Sequence, residues 1–519
     1  MIGQIRWGRG AMAALLALSA GAAIAGEAAA QDNNTLRIGM YAKAPGRGNP
    51  YIGGGAPTNY WLDPVFDQLV RVNDKGQPNP WLAESWKLVD PTTWHLSLRK
   101  DAEFTSGVKV NADSIVASFA WALSEAGRAT QGGAELRNVD SVTKVDEFTV
   151  AFKTKVPLPL LPGTTARAYI VDGKAVAEMG MPNYANNPST TGGYRVVKWT
   201  DTEAEFVRFD KSWRAGKIPT LRFIETPEPA SRLQAIVSKQ IDLAVTVAPD
   251  NVDEIKRAGQ TTHIFNSPNV MNYVMFTTDH RKSFGAKGTP FTDKRVRQAF
   301  NMAIDRKGIV EGLLQNVTKP ANQPANPQTF GFNSDVKDYE FNPAKAKALL
   351  AEAGYPNGFE MIAGFIPGAI PRDIEIYTYM FADNLSKIGV KSEIRQLPFA
   401  DWLRQYTSGN WVTDGSGFSA FVDPQMDAAR PFVNFTCNTP NAIVCIKEMM
   451  PMIDAQQSEM DPVKREAMLK QIMQIWHDDA VTMPILYGID IFAATPRLKN
   501  FQNWNRVLLW ERMTLEGNG

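Results

Sequence analysis

This sequence is poor in the side chains that most enzyme chemistry needs. Two cysteines and four histidines are spread over 519 residues, and no His/Cys pair lies close enough in sequence to seed a metal site. Neither G-x-S-x-G nor H-E-x-x-H occurs, which removes two common hydrolase signatures; paired carboxylates cannot be recognised from spacing alone. No catalytic set, metal or cofactor is therefore expected. Charge of one sign is lacking too, with 55 Lys and Arg against 54 Asp and Glu. Such a balance leaves no electrostatic footprint for nucleic acid or an anionic membrane surface.

What is present begins with an export pattern. Arg6 and Arg9 precede the uncharged run Ala11–Ala25, which is shorter than the ~20 residues of a membrane-spanning helix. The small residues Ala28-Ala29-Ala30 follow, so 1–30 is expected to be a secretory signal cleaved before Gln31, with Ala23-Ile24-Ala25 as the competing site. There is no twin arginine, and no cysteine precedes Cys437, so general secretion without a lipid anchor is expected. The mature protein is then soluble and periplasmic. Export suits a disulfide between Cys437 and Cys445 in CNTPNAIVC, with metal binding as the rival reading of that pair.

Hydrophobic residues make up 44% of the chain, and its length suggests roughly two to four domains. Strands are expected at Thr35–Ala42, Thr92–Lys100 and Phe148–Thr154, and a hairpin at Thr190–Phe209. Helices are expected at WLDPVFDQLVRV (61–72), at NADSIVASFAWAL with Asn111 or Asp113 as cap, and at FNPAKAKALLAEAGY with Asn342 as cap. Strand and helix alternate from Pro229 onward, which points to an α/β layer.

The stretch FTDKRVRQAFNMAIDRKGIV (291–310) crowds acids and bases together like an active-site helix. On a helix, however, Val296, Phe300, Ala303 and Ile304 form one apolar stripe, and Lys294, Arg295 and Arg297 disperse along the flanks or toward solvent. Thr292 can cap this helix, and Asp305 opens a second one with Ile309 and Leu313 as its buried side. The pattern is scaffold rather than a catalytic cluster.

This same stretch resembles the VRQA-x-x-x-AID signature of the extracellular solute-binding proteins of family 5, the peptide- and nickel-binding proteins of ABC importers. Three more blocks resemble the family in order: PWLAESWKLVDPTTWHLSLRKDAEFTSGVKVNADSIVASF (80–119), FNPAKAKALLAEAGYPNGFE (341–360) and AVTMPILYG (480–488). The resemblance implies a periplasmic binding protein type II-like two-lobe α/β fold with an additional inserted α+β domain. By that template lobe I combines 31–58, 187–270 and 490–519, the inserted domain is 59–186, and lobe II is 271–489. Two strands would cross between the lobes near Ser267–Asn272 and Gly488–Ile491. A small solute, peptide-like by family default, would be held between the lobes of a monomer and passed to an inner-membrane ABC permease. An opine, an oligosaccharide or a metal chelate are the alternative cargoes, and a secreted hydrolase is the rival class.

The resemblance also implies site residues. Gly54, Gly55 and Ala56 belong to a Gly-rich loop whose backbone would lie along the ligand. Trp402, Trp411, Phe418, Phe421 and Tyr487 fall where the family places aromatic walls, although each alone would suit a core. Peptide binders of the family carry an Asp before the x-[DE]-P motif to meet the peptide's ammonium. Here Ala420 or Phe421 holds that place, so a free amino end is disfavoured unless Asp423 or Asp414 substitutes.

Overall fold

The computed structural model describes residues 34–517 except 54, 368–371, 421–425 and 438–441, and only the backbone at 399, 419, 420, 434 and 435. The expected export segment 1–30 lies outside the described residues.

Two long strands, Thr261–Met275 and Thr482–Ala494, run antiparallel through the middle of one ten-stranded sheet. On one flank lie Gly415–Ala420, Glu360–Phe365 and Lys391–Gln396, the last two parallel to each other. On the other flank lie Leu243–Val245, Thr35–Met40 and Thr220–Glu225, then the hairpin Glu203–Arg208 and Tyr194–Trp199. The central pair breaks in the middle, and a second, smaller register shift falls between Met271 and Asn272. Thr261–Asn266 pairs with Ile489–Ala494, and Val270–Val274 pairs with Thr482–Tyr487, with the register shifting between Asn266 and Val270. Pro268 lacks the N–H a ladder needs, which is the local reason for the break.

A separate antiparallel sheet is built from Ala83–Asp90, Thr93–Leu98, Thr149–Thr154 and Val139–Asp146. Helix Ala112–Ala122 contributes Ile115 and Phe119 to the same core as this sheet. Asn111 caps that helix by accepting from the Ser114 backbone N–H (3.0 Å), and Ser114 returns the bond, which the short polar residues at these two places make possible. One core continues from this sheet through Leu36 and Phe223 to Trp510. Two others, around Phe300 and Tyr377 and around Trp402 and Trp476, lie beyond the central strands. Fully buried Asp242 fastens the C-terminal segment to the first strand: it accepts from Arg37 Nε (2.8 Å) and from Arg497 Nε and Nη2 (2.8 Å each). Burial alone would raise the Asp242 carboxyl, but these guanidinium bonds hold it below its ordinary value.

The helix expected at 61–72 is not there. The helix is Ala56–Leu62, and it stops before Pro64, which has no N–H to give the next carbonyl of the helical ladder. Val70–Val72 is a strand. Residues 61–72 are buried throughout, so apolar spacing in this stretch has no solvent face to report on.

Phe291–Val310 forms two helices, Lys294–Ala303 and Arg306–Leu314, and Val296, Phe300, Ala303 and Ile304 are the buried stripe. The cap is Asp293 rather than Thr292, its carboxylate accepting from the Arg295 backbone N–H (2.8 Å). Arg297 does not reach solvent. It is 4% exposed and donates to the carbonyl oxygens of Phe291, Thr292 and Asp479. Arg306 donates to the carbonyls of Pro484 and Asn301, burial pulling its guanidinium down to about 10, and Asn301 donates to the carbonyl of Thr482. The charged helix therefore grips the start of strand Thr482–Ala494 through backbone carbonyls, which is a scaffold role.

Candidate functional site

Residues 135–139 and 156–164 face Asp427, helix Ala429–Phe435 and Arg465 across a cavity. Its apolar wall includes Val139, Leu158 and Leu160 on one side and Val433 on the other. A smaller cavity adjoins it, lined by Pro50, Gly53, Gly55 and Asn59 of the Gly-rich loop and by Arg167 and Tyr169. Glu135 borders both cavities.

Glu135 is the electrostatic centre. Its Oε1 accepts from Arg167 Nη1 (3.2 Å) on its own side and from Arg430 Nη2 (2.9 Å) on the facing side. Burial would raise the Glu135 carboxyl, but Arg167, Arg430 and Arg137 outweigh it and hold the group at about 2. Behind Arg430, Asp427 and Arg465 form a bidentate pair at 2.5 and 2.9 Å, and Arg465 also donates to Gln456. That pair is fully occupied and fixes the start of helix Ala429–Phe435, where Asp427 also accepts from the Ala429 N–H (2.9 Å).

Other contacts bring the two faces together. Met426 packs with Val72 and Ala166 in a small apolar cluster. Gly76, at φ +74°, sits so close that a Cβ there would lie 2.6 Å from the Gln328 carbonyl. Arg372 and Asp250 approach to 3.9 Å.

The residues expected along the cleft divide into groups. Gly55, at φ +86°, opens helix Ala56–Leu62, faces open space and borders the smaller cavity; Ala56 is buried behind it. Trp402, Trp411 and Phe418 pack on one another, with Trp402 centred 6.0 Å from Trp411 and 5.7 Å from Phe418, inside the core that also holds Trp476. Tyr487 is half-buried beside the strand break and donates to Asn322 Oδ1 (3.2 Å). The Ala420 backbone pairs with Val270. Gly54, Phe421 and Asp423 lie outside the described residues. Asp414 is not available for a ligand ammonium: its carboxylate accepts from Arg281, Ser283 Oγ (2.9 Å) and the Ile362 N–H (2.7 Å). Cys437 and Cys445 form a disulfide.

Glu135, Arg167 and Arg430 are absent from the sequence-based expectation. Glu135 and Arg430 are 295 residues apart, and GGAELRN and DAARPF each look like ordinary exposed helix starts. Only the folded chain joins them.

The family model for bacterial extracellular solute-binding proteins, family 5, matches residues 77–439. The heme-binding protein A of Haemophilus influenzae is 26% identical over 518 residues, covering 92% of this chain and 91% of its own. The dipeptide-binding protein of Escherichia coli is 25% identical over 457 residues, covering 82% and 84%. Among solved structures, the ABC transporter-associated periplasmic binding protein DppA from Helicobacter pylori, in complex with the peptide STSA, superposes with a TM-score of 0.77 at 19% identity. That match covers 93% of this chain and 98% of the other, and it confirms the expected two-lobe periplasmic binding protein fold. The chain belongs to the bacterial extracellular solute-binding proteins of family 5.

Proposed function

We propose that this protein encloses a small solute between two lobes that swing about the break in its central strands, and hands it to an inner-membrane ABC permease from the periplasm. The observation that carries this reading is a cavity walled from both sides, with the Glu135–Arg430 ion pair spanning it. Lobe I is assigned 31–58, 187–270 and 490–519, the inserted domain 59–186, and lobe II 271–489. The Asp242–Arg497 bond supports returning the C-terminal segment to lobe I, and the four-stranded sheet lies wholly within 59–186. The strands would pivot at Ser267–Asn269, where neither paired stretch reaches. Gly488 suits that role, because a Cβ there would lie 2.7 Å from the Asn269 carbonyl.

The Gly-rich loop at Gly55 borders the solute, with Tyr487 at the cleft and Trp402, Trp411 and Phe418 supporting the strand Gly415–Ala420. The protein acts as a monomer and makes or breaks no bond in its cargo. X-ray scattering of the mature protein, with and without compounds that raise its melting temperature, tests the reading. A smaller radius of gyration with bound solute is expected; an unchanged profile with every demonstrable binder refutes it.

A further inference from the structure

The two adjoining cavities carry an excess of positive charge. Among the described residues that line them, Arg137, Arg167, Arg430 and Arg465 stand against Glu135 and Asp427. Both carboxylates are already engaged, Asp427 by Arg465 and Glu135 by Arg167 and Arg430, so neither is left to receive a cationic group. Arg137 is different: it borders the larger cavity and acts on Glu135 through space, without a direct ion-pair contact to any carboxylate among the described residues. Beside it runs an apolar wall of Val139, Leu158, Leu160 and Val433. A lined pocket with apolar walls and one convergent charge selects a ligand with an apolar body and a complementary charge.

We infer that the cargo is an organic carboxylate with an apolar body and no free ammonium, its carboxylate meeting Arg137. This inference rests on the proposed capture between lobes and deepens it. The chemistry is that of a guanidinium–carboxylate hydrogen bond beside an apolar wall, a charge-assisted bond that is stronger than its neutral counterpart.

The test is calorimetry on the mature protein with four probes: N-octanoylglycine, N-octanoylglycinamide, octylamine and the dipeptide Leu-Leu. The acid is expected to bind about tenfold more tightly than its amide, and the amine and the dipeptide more weakly still. Arg137 is exposed, so Arg137→Gln should fold, and it should shrink the preference for acid over amide to about threefold or less. Lys174→Gln, at an exposed surface lysine elsewhere, should leave the preference intact. Equal binding of acid and amide, tighter binding of octylamine or Leu-Leu, no binding by any probe at millimolar concentration, or a preference unchanged by Arg137→Gln each overturns the inference. Capture itself is judged separately by the scattering change with any binder, so the two readings fail independently.

Discussion

Replacing Glu135 with Gln should loosen the closed state by a calculable amount. The carboxyl is held at about 2 against an ordinary 4.5. At 1.36 kcal/mol per pKa unit this is about 3 kcal/mol of stabilisation shared among its guanidinium neighbours. Arg167 sits on the same side of the cavity and stays with Glu135 when the lobes part, so only the Arg430 share is lost on opening. An even split among Arg167, Arg430 and Arg137 leaves about 1 kcal/mol, and partial solvent screening of a carboxylate that is 20% exposed lowers this to about 0.7 kcal/mol. The ligand-free equilibrium should therefore move toward the open form about threefold, and apparent affinity for any closing solute should weaken by a similar factor. Energy transfer between dyes at V145C and V463C, both exposed and on opposite sides of the cleft, reads the closed fraction. The double variant Glu135→Gln/Arg430→Gln should lose little more than either single variant, because the pair acts as a unit. Additive losses, or an unchanged closed fraction in Glu135→Gln, would refute the reasoning.

Acid should act on the same pair. Because folding and closure depress the Glu135 pKa, its contribution is complete above about 4.5 and fades as pH falls toward 2, so the energy-transfer signal should drop over that window in wild type and stay flat in Glu135→Gln. Asp242→Ala strands two guanidinium groups, at Arg37 and Arg497, and should cost about 3–5 kcal/mol in urea denaturation, with a loss under 1 kcal/mol counting against the fastening role. Removing the Cys437–Cys445 disulfide, whose partners are 8 residues apart, should cost about 2.5 kcal/mol by the chain-entropy model, measured as a shift in denaturation midpoint on reduction. Gly488→Val should slow or limit closure while leaving the melting temperature of the ligand-free protein within a few degrees, since the crowding falls on the Ser267–Asn269 break; dye distances that change normally on solute addition would exclude a pivot there.

Local structure was legible wherever side chains themselves set the backbone. Asn342 and Pro343 open helix Pro343–Glu352 as their chemistry dictates, and Asn111 with Ser114 does the same for Ala112–Ala122. The apolar stripe of Lys294–Ala303 was equally plain. What escaped lies in interactions that hydropathy does not encode. Arg297 and Arg306 are buried because carbonyls of distant strands receive them, and no pattern in the sequence announces an acceptor. Strand Thr261–Met275 begins ten residues ahead of the apolar MNYVMF run, its opening half carrying polar residues and Pro268 that look like loop. The cavity escaped most completely, because Glu135 and Arg430 gain meaning only from each other.

The continuous ten-stranded sheet has a mechanical corollary. Backbone ladders bind both long central strands along nearly their whole length, so shear or sliding between the halves would tear many bonds at once, whereas a bend at three residues tears none. In the proposed capture, motion is thereby funnelled into a single swing whose path belongs to the main chain. Cavity side chains can then be exchanged for a new cargo without redesigning how the molecule moves.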